Sequence, residues 1–196
     1  MQTSLFSFDS AGDSLDDKIR ECKKCGLWKT RTHAVPGEGG FRKKVMFVGE
    51  APGKWEDIKG RPFVGAAGKY LDELLATIGL SRDDVYITNI VKCRPPNNRD
   101  PTDEEIRACA PYLEWQIEHM RPRVICPLGR FSAKFILEKF GFTMKSITAA
   151  QGKIYRGDII IIPMFHPAAA LYHGKWKPEL EKAFATLKSV LDDMEN

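Results

Sequence analysis

VMFVGE, Val45 to Glu50, decides the fold. Four consecutive apolar residues stop at a glycine and a carboxylate, and a loop rich in Gly and Pro, APGKWEDIKGRPFVGAAG, follows. A short unbroken apolar run bounded by turn signals predicts a buried strand. Further along the chain, VYITNIV (Val85 to Val91) and RVICPLG (Arg123 to Gly129) repeat the pattern, and KIYRGDIIIIPMF predicts one or two strands more. Helical stretches separate them, at about 69–78, 102–120 and 131–140, with a last one at about 178–193 that has Pro178 in its first turn. Thr102 caps the long one, and Glu105 three residues on completes a capping box. Ser14 caps a short first helix, SLDDKIRECKKCG, with Asp16 and Asp17 in its first turn and Gly26 at its end. Residues 1–13 carry no repeating apolar face and read as a tail. Strands alternating with helices predict an α/β fold, one domain over residues 14–196, with a parallel sheet covered on both faces. Ligands of such sheets bind beyond the carboxyl ends of the strands. That places Glu50, Asn89, Gly129 and His166 around one cleft.

The 196 residues, 43% hydrophobic and 29% charged, exclude a disordered chain and a small disulfide scaffold. No apolar stretch approaches the ~20 residues of a membrane helix, and no export signal is visible, so a cytoplasmic location is expected. A net charge of +4 permits a polyanionic partner without demanding one. The five cysteines are the unusual entry in the composition. In a reducing compartment, clustered cysteines point to metal rather than disulfides. Cys22 and Cys25 form a C-x2-C pair, and Cys93 and Cys109 have fifteen residues between them. Two thiolates two residues apart can bite one centre, and two more would complete a four-thiolate site. Spacing alone leaves zinc and iron–sulfur equally open. Cys126, inside an apolar strand, reads as a core residue.

GEAPG (Gly49 to Gly53), then ED, GRPFVGAAG, TNIVKCRPP and HPAAAL form an ordered set of motifs. They closely resemble those of family-4 uracil-DNA glycosylases, the iron–sulfur branch of the uracil-DNA glycosylase superfamily, in register over residues 15 to 193. The resemblance implies an α/β/α sandwich with a central four-stranded parallel sheet. It also implies a structural 4Fe–4S cluster on Cys22, Cys25, Cys93 and Cys109. Four thiolates on a core of charge 2+ carry a net 2−, which would lower the chain's balance to about +2.

The activity implied is that of a monofunctional glycosylase starting base-excision repair. Such an enzyme extrudes the damaged nucleotide, holds its edge and stacks its face. By the same resemblance, Asn89 reads the N3–H and O4 edge that separates uracil from cytosine. Phe63 offers the stacking face, and His166 donates to uracil O2 as negative charge builds. Glu50 positions or polarises the attacking water and faces the cationic sugar. The backbone of Glu50 and Ala51 closes over the base, which Gly49 and Gly53 make sterically possible, and Glu56 supports that loop. No basic segment with a histidine follows GRPFVGAAG, as it does in DNA-crosslinking relatives, and no lysine stands out as a Schiff-base nucleophile. Base removal without strand cleavage is expected.

After His166, AAALYHGKW joins Leu171 and Tyr172 to His173, Lys175 and Trp176, and reads as a loop that wedges into the duplex while its basic group holds phosphate. Lys92, Arg94 and Arg99 are further candidates for gripping the DNA backbone. In the tail, QTSLFSF resembles a sliding-clamp (PCNA) binding box, with Gln2, Leu5 and Phe8 as its anchors, although Asp9 stands where a second large apolar residue is usual. The partners expected are uracil-containing DNA and possible clamp contact, with the chain itself a monomer. Alternatives are a glycosylase for another deaminated base such as hypoxanthine, and a non-catalytic metal-stabilised DNA-binding module.

Overall fold

The computed structural model describes residues 14–195. Four parallel strands form the centre: β1 (Val45–Gly49), β2 (Val85–Asn89), β3 (Val124–Pro127) and β5 (Ile160–Ile161). A two-residue strand, β4 (Tyr155–Arg156), adds an antiparallel fifth at one edge, so the sheet runs β2-β1-β3-β5-β4. This edge strand goes beyond the four-stranded sheet expected, and it arises because Gly157 and Asp158 turn the chain back on itself.

Every residue of β1 is buried. Side chains alternate across a strand. Val45 and Phe47 therefore enter one core with Leu71 and Leu75 of helix α3 (Ala66–Thr77) and Phe184 and Leu187 of α8 (Lys177–Glu195). Met46 and Val48 enter the other, with Leu113 and Ile117 of α4 (Asp103–Met120) and Ile136 and Leu137 of α5 (Arg130–Lys139). Two helical layers thus cover the sheet. Phe47 stacks on Phe184 with ring centroids 5.7 Å apart.

Local signals act largely as the sequence predicts. Thr102 and Glu105 form the capping box that starts α4, and Ser14 caps α1 (Leu15–Arg20). Three segments differ. Helix α1 stops at Arg20, six residues short of Gly26, and the chain turns so that Cys22 and Cys25 lie outside it. Arg31 donates to the terminal Arg20 carbonyl in place of a further helical turn. The Gly- and Pro-rich loop after β1 contains a helix, α2 (Lys54–Lys59), which ends at Gly60 in the left-handed conformation (φ 66°). The segment after His166 is not a loop: it is helix α7 (Pro167–Tyr172) followed by a 3-10 turn, because Pro167 is pre-set for a first helical turn. A small α6 (Ile147–Ala150) precedes the edge strands. Among the described residues, no helix is long and apolar enough to cross a membrane.

Candidate active site and cysteine cluster

The β1–β2 register sets Gly49 opposite Asn89, at the carboxyl ends of adjacent strands. A Cβ built on Gly49 would lie 2.2 Å from Asn89 Oδ1 and 2.9 Å from Phe63 Cζ, so only glycine lets amide and ring close over the strand end. Asn89 is 2% exposed, and among the described residues nothing hydrogen-bonds its side-chain amide. Its donor and acceptor have no protein partner among them and stand open to a ligand.

Phe63 is buried and sits at φ 50°, a left-handed conformation costing a side-chain-bearing residue about 1–2 kcal/mol. Its ring lies near-parallel to the His166 imidazole, with centroids 5.4 Å apart and planes 25° from each other. Glu56 of α2 supports this turn: its Oε1 accepts from the Val64 and Gly65 N–H groups at 2.9 and 3.1 Å. Gly53 leaves room for that carboxylate, since a Cβ there would come within 2.8 Å of Glu56 Oε2.

His166 is the N-cap of α7, and its Nδ1 accepts from the Ala168 N–H at 3.2 Å. An accepting Nδ1 places the proton on Nε2, the nitrogen left free to donate. Burial pushes its pKa down to about 4, against a weaker opposing effect of Glu56. The imidazole is therefore neutral near pH 7. Glu50 is half-buried at the rim. Burial, helped by the negative charge of Asp100 and opposed by Arg130, pushes its carboxyl up to about 7. Among the described residues its carboxylate has neither a hydrogen bond nor an ion pair.

Cys22, Cys25, Cys93 and Cys109 line a small cavity, together with Arg31, Lys92 and Tyr112. The chain comes to this place from three directions: the turn after α1, the turn after β2, and α4. Donors point at three of the sulfurs. Arg31 Nη1 lies 3.0 Å from Cys93 Sγ, the Lys92 N–H 3.2 Å from Cys109 Sγ and the Lys24 N–H 3.5 Å from Cys22 Sγ. Burial, opposed by Lys92, pushes the Cys109 thiol up to about 12, and burial raises Cys93 and Cys25 as well. Two buried thiols, Cys93 and Cys109, and two partly buried ones, Cys22 and Cys25, ringed by N–H donors and basic side chains, form a donor set suited to thiolates held by a positive metal core. Among the described residues, no three His, Cys, Asp or Glu side chains gather closely enough to hold one ion. Cys126 is fully buried in β3, as expected of a core thiol.

One expected DNA contact is overturned. Lys92 is 1% exposed, and its Nζ donates to Thr88 Oγ1, the Asn89 carbonyl and Gln116 Oε1 at 2.6–2.8 Å. The chain turns inward after β2, so the ammonium is spent on the interior and reaches no phosphate. Arg94 is half-exposed and bonds Asn98, while Arg99 forms a two-pronged pair with Glu105. Leu171, Tyr172, His173 and Lys175 are exposed around the end of α7, Tyr172 by 85%. Trp176 instead packs on Phe165, with centroids 4.6 Å apart. Gln2, Leu5 and Phe8 lie outside the described residues. Arg31 and Arg82 escaped the sequence reading, since each lies far in the chain from the groups it serves.

Comparison with known proteins agrees with this geometry. The family described as the uracil DNA glycosylase superfamily matches residues 36–188. A type-4 uracil-DNA glycosylase of Saccharolobus solfataricus is 51% identical over 185 residues, covering 91% of this chain and 86% of that protein. One of Archaeoglobus fulgidus is 52% identical over 180 residues, 88% of this chain and 90% of that one. A third, of Sulfurisphaera tokodaii, is 50% identical over 184 residues, with coverage of 91% and 84%. With half its residues identical to theirs along nearly the whole length, and Asn89, Phe63 and His166 brought to one end of a parallel sheet, this chain belongs to the type-4 branch of the uracil-DNA glycosylase superfamily.

Proposed function

We propose that the protein excises uracil from DNA by hydrolysing its N-glycosidic bond, the first step of base-excision repair. The observation that supports it best is the Asn89 amide, on a nearly buried residue and without a hydrogen-bond partner among the described residues, beside Phe63 and the neutral His166. Asn89 offers an acceptor to uracil N3–H and a donor to O4, whereas cytosine presents the opposite pattern at those two positions. Phe63 supplies the stacking face. As the C1′–N1 bond breaks, its electron pair goes to uracil, and His166 Nε2–H donates to O2 where that charge collects. Glu50, at the rim, orients water toward C1′ and faces the cationic sugar. The water oxygen bonds to C1′, its proton passes to Glu50 or solvent, and uracil leaves as an anion that solvent protonates. No lysine takes part, so the strand stays intact.

Leu171 and Tyr172 serve as the wedge, and Arg99, His173 and Lys175, with the partly exposed Arg94, as backbone contacts, on the strength of their accessibility at the end of α7 and after β2. Cys22, Cys25, Cys93 and Cys109 would hold a 4Fe–4S cluster, a reading supported by the donor set around them. When bound, that group cross-links the turn after α1, the turn after β2 and α4. The tail at residues 1–13, through Gln2, Leu5 and Phe8, would engage a sliding clamp. Unchanged clamp affinity after deletion of residues 1–9 removes that part.

The deciding assay uses labelled duplexes carrying U:G, U:A, hypoxanthine:T or T:G, with alkali to cut abasic sites. Cutting at both uracil substrates is expected. Cutting at neither overturns the function, and a preference for hypoxanthine moves it to another deaminated base.

A further inference from the structure

Phe63 is held in its left-handed conformation by groups on both sides of its turn. Glu56 takes the amides of Val64 and Gly65. The carbonyls belong to one distant side chain. Arg82, just before β2, donates from Nη1 to the Pro62 carbonyl at 3.0 Å and from Nη2 to the Phe63 carbonyl. Its fork is fixed in turn by two carboxylates: Nε to Asp72 Oδ1 at 2.7 Å, and Nη1 to Glu38 Oε1 at 2.5 Å. Arg61 binds the other side of Glu38. Four of the five guanidinium N–H groups are thereby committed. The planar fork meets two adjacent carbonyls and two carboxylates from three nitrogens spread over its plane, a reach that the single nitrogen of an ammonium lacks.

We infer that Arg82 is a positioning residue for base recognition. It pins the Pro62 and Phe63 carbonyls so that the Phe63 ring stays against Gly49 and alongside His166, ready to receive the extruded base. Arg82 touches no substrate and acts only through Phe63. This inference rests on Phe63 being the stacking face, and nothing in the motif GRPFVGAAG itself reveals the dependence.

The test is a double-mutant cycle on a U:G duplex, read by single-turnover rate and by substrate concentration dependence. Phe63→Ala, Arg82→Gln and the double variant are compared with the parent, each first checked for a cooperative thermal melt above the assay temperature and for parental visible absorption. Arg82→Gln is expected to lower the rate ~10- to 100-fold, as sub-ångström misplacement does, with KM within about threefold. In the Phe63→Ala background the same change should alter the rate less than about threefold. Equal losses in both backgrounds overturn the role of Arg82 while leaving that of Phe63 standing. A Phe63→Ala variant with parental rate overturns the stacking reading itself. Should Arg82→Gln fail the melt, Arg82→Lys serves in its place. It keeps the positive charge beside Asp72 and Glu38 but offers one donor nitrogen in place of three in a fixed plane, and the same coupling to Phe63 is required of it.

Discussion

At pH 8 the Glu50 carboxyl is ionised, and at pH 6 it is largely protonated, because partial burial lifts it to about 7. If its carboxylate orients the water, excision rises with pH through about 7, while His166, held down to about 4, stays neutral over the whole range. Glu50→Gln should flatten that rise, as measured by single-turnover rates from pH 5.5 to 8.5. A profile unchanged by the substitution assigns the titration to another group. The stability consequences have opposite signs. The folded protein holds the Glu50 proton more tightly than the unfolded chain, so this stabilisation is present below pH 4.5 and is lost as pH rises through about 7. His166 contributes above pH 6.5 and loses that contribution as pH falls through about 4. Lys92 shows where residue-level reading fails. A lysine beside two arginine-bearing motifs reads as solvent-facing, and only the inward turn after β2 reveals three buried acceptors waiting for it. Lys92→Met should therefore lower the melting temperature and leave the salt dependence of DNA binding unchanged, each stranded acceptor costing about 1–3 kcal/mol. Arg94→Ala should do the reverse, reducing the slope of log affinity against log salt by about 1.

Among the elements, the start of α3 is the tightest. A Cβ on Gly68 would stand 1.7 Å from the Phe63 carbonyl oxygen, the same oxygen that Arg82 holds. Alanine inside a helix is ordinarily favoured over glycine by about 0.5–1 kcal/mol. Here the clash is with backbone, which cannot rotate aside, and overpacking of about 1–3 kcal/mol outweighs the gain. Gly68→Ala should lower stability in urea titration and cut excision about as severely as Phe63→Ala. A more stable and fully active variant would show that the turn is looser than its contacts imply. Caps and strands were legible at this scale, because Thr102 with Glu105 and the apolar run at Val45 act through neighbours in sequence. Helices α2 and α7 were not. Each is only six residues long, begins in a stretch dense with Gly, Pro or Ala, and is held by long-range packing such as Asp57 accepting from the Thr32 and His33 N–H groups.

Across the whole molecule, the cysteine cavity and the proposed uracil site sit on either side of the turn after β2. Asn89 ends the strand, and Cys93 lies four residues on. If the cysteines hold the proposed cluster, its loss should be felt in the fold first. Cys109→Ala is expected to abolish visible absorption near 400 nm and iron content, and to lower the melting temperature, because α4 is then released from the turns at Cys22 and Cys93. Full iron content in that variant removes Cys109 from the ligand set, and zinc in the parent protein replaces the cluster reading. Sequence by itself determined the layered α/β architecture, the strand ends that carry Glu50, Asn89 and His166, and the four clustered cysteines, since hydrophobic runs, caps and motifs are local patterns. Tertiary structure alone decided that Lys92 faces inward, that His166 is neutral with its proton on Nε2, and that Arg82 holds the Phe63 turn. Those properties follow from burial and from partners distant in the chain, which sequence spacing cannot encode.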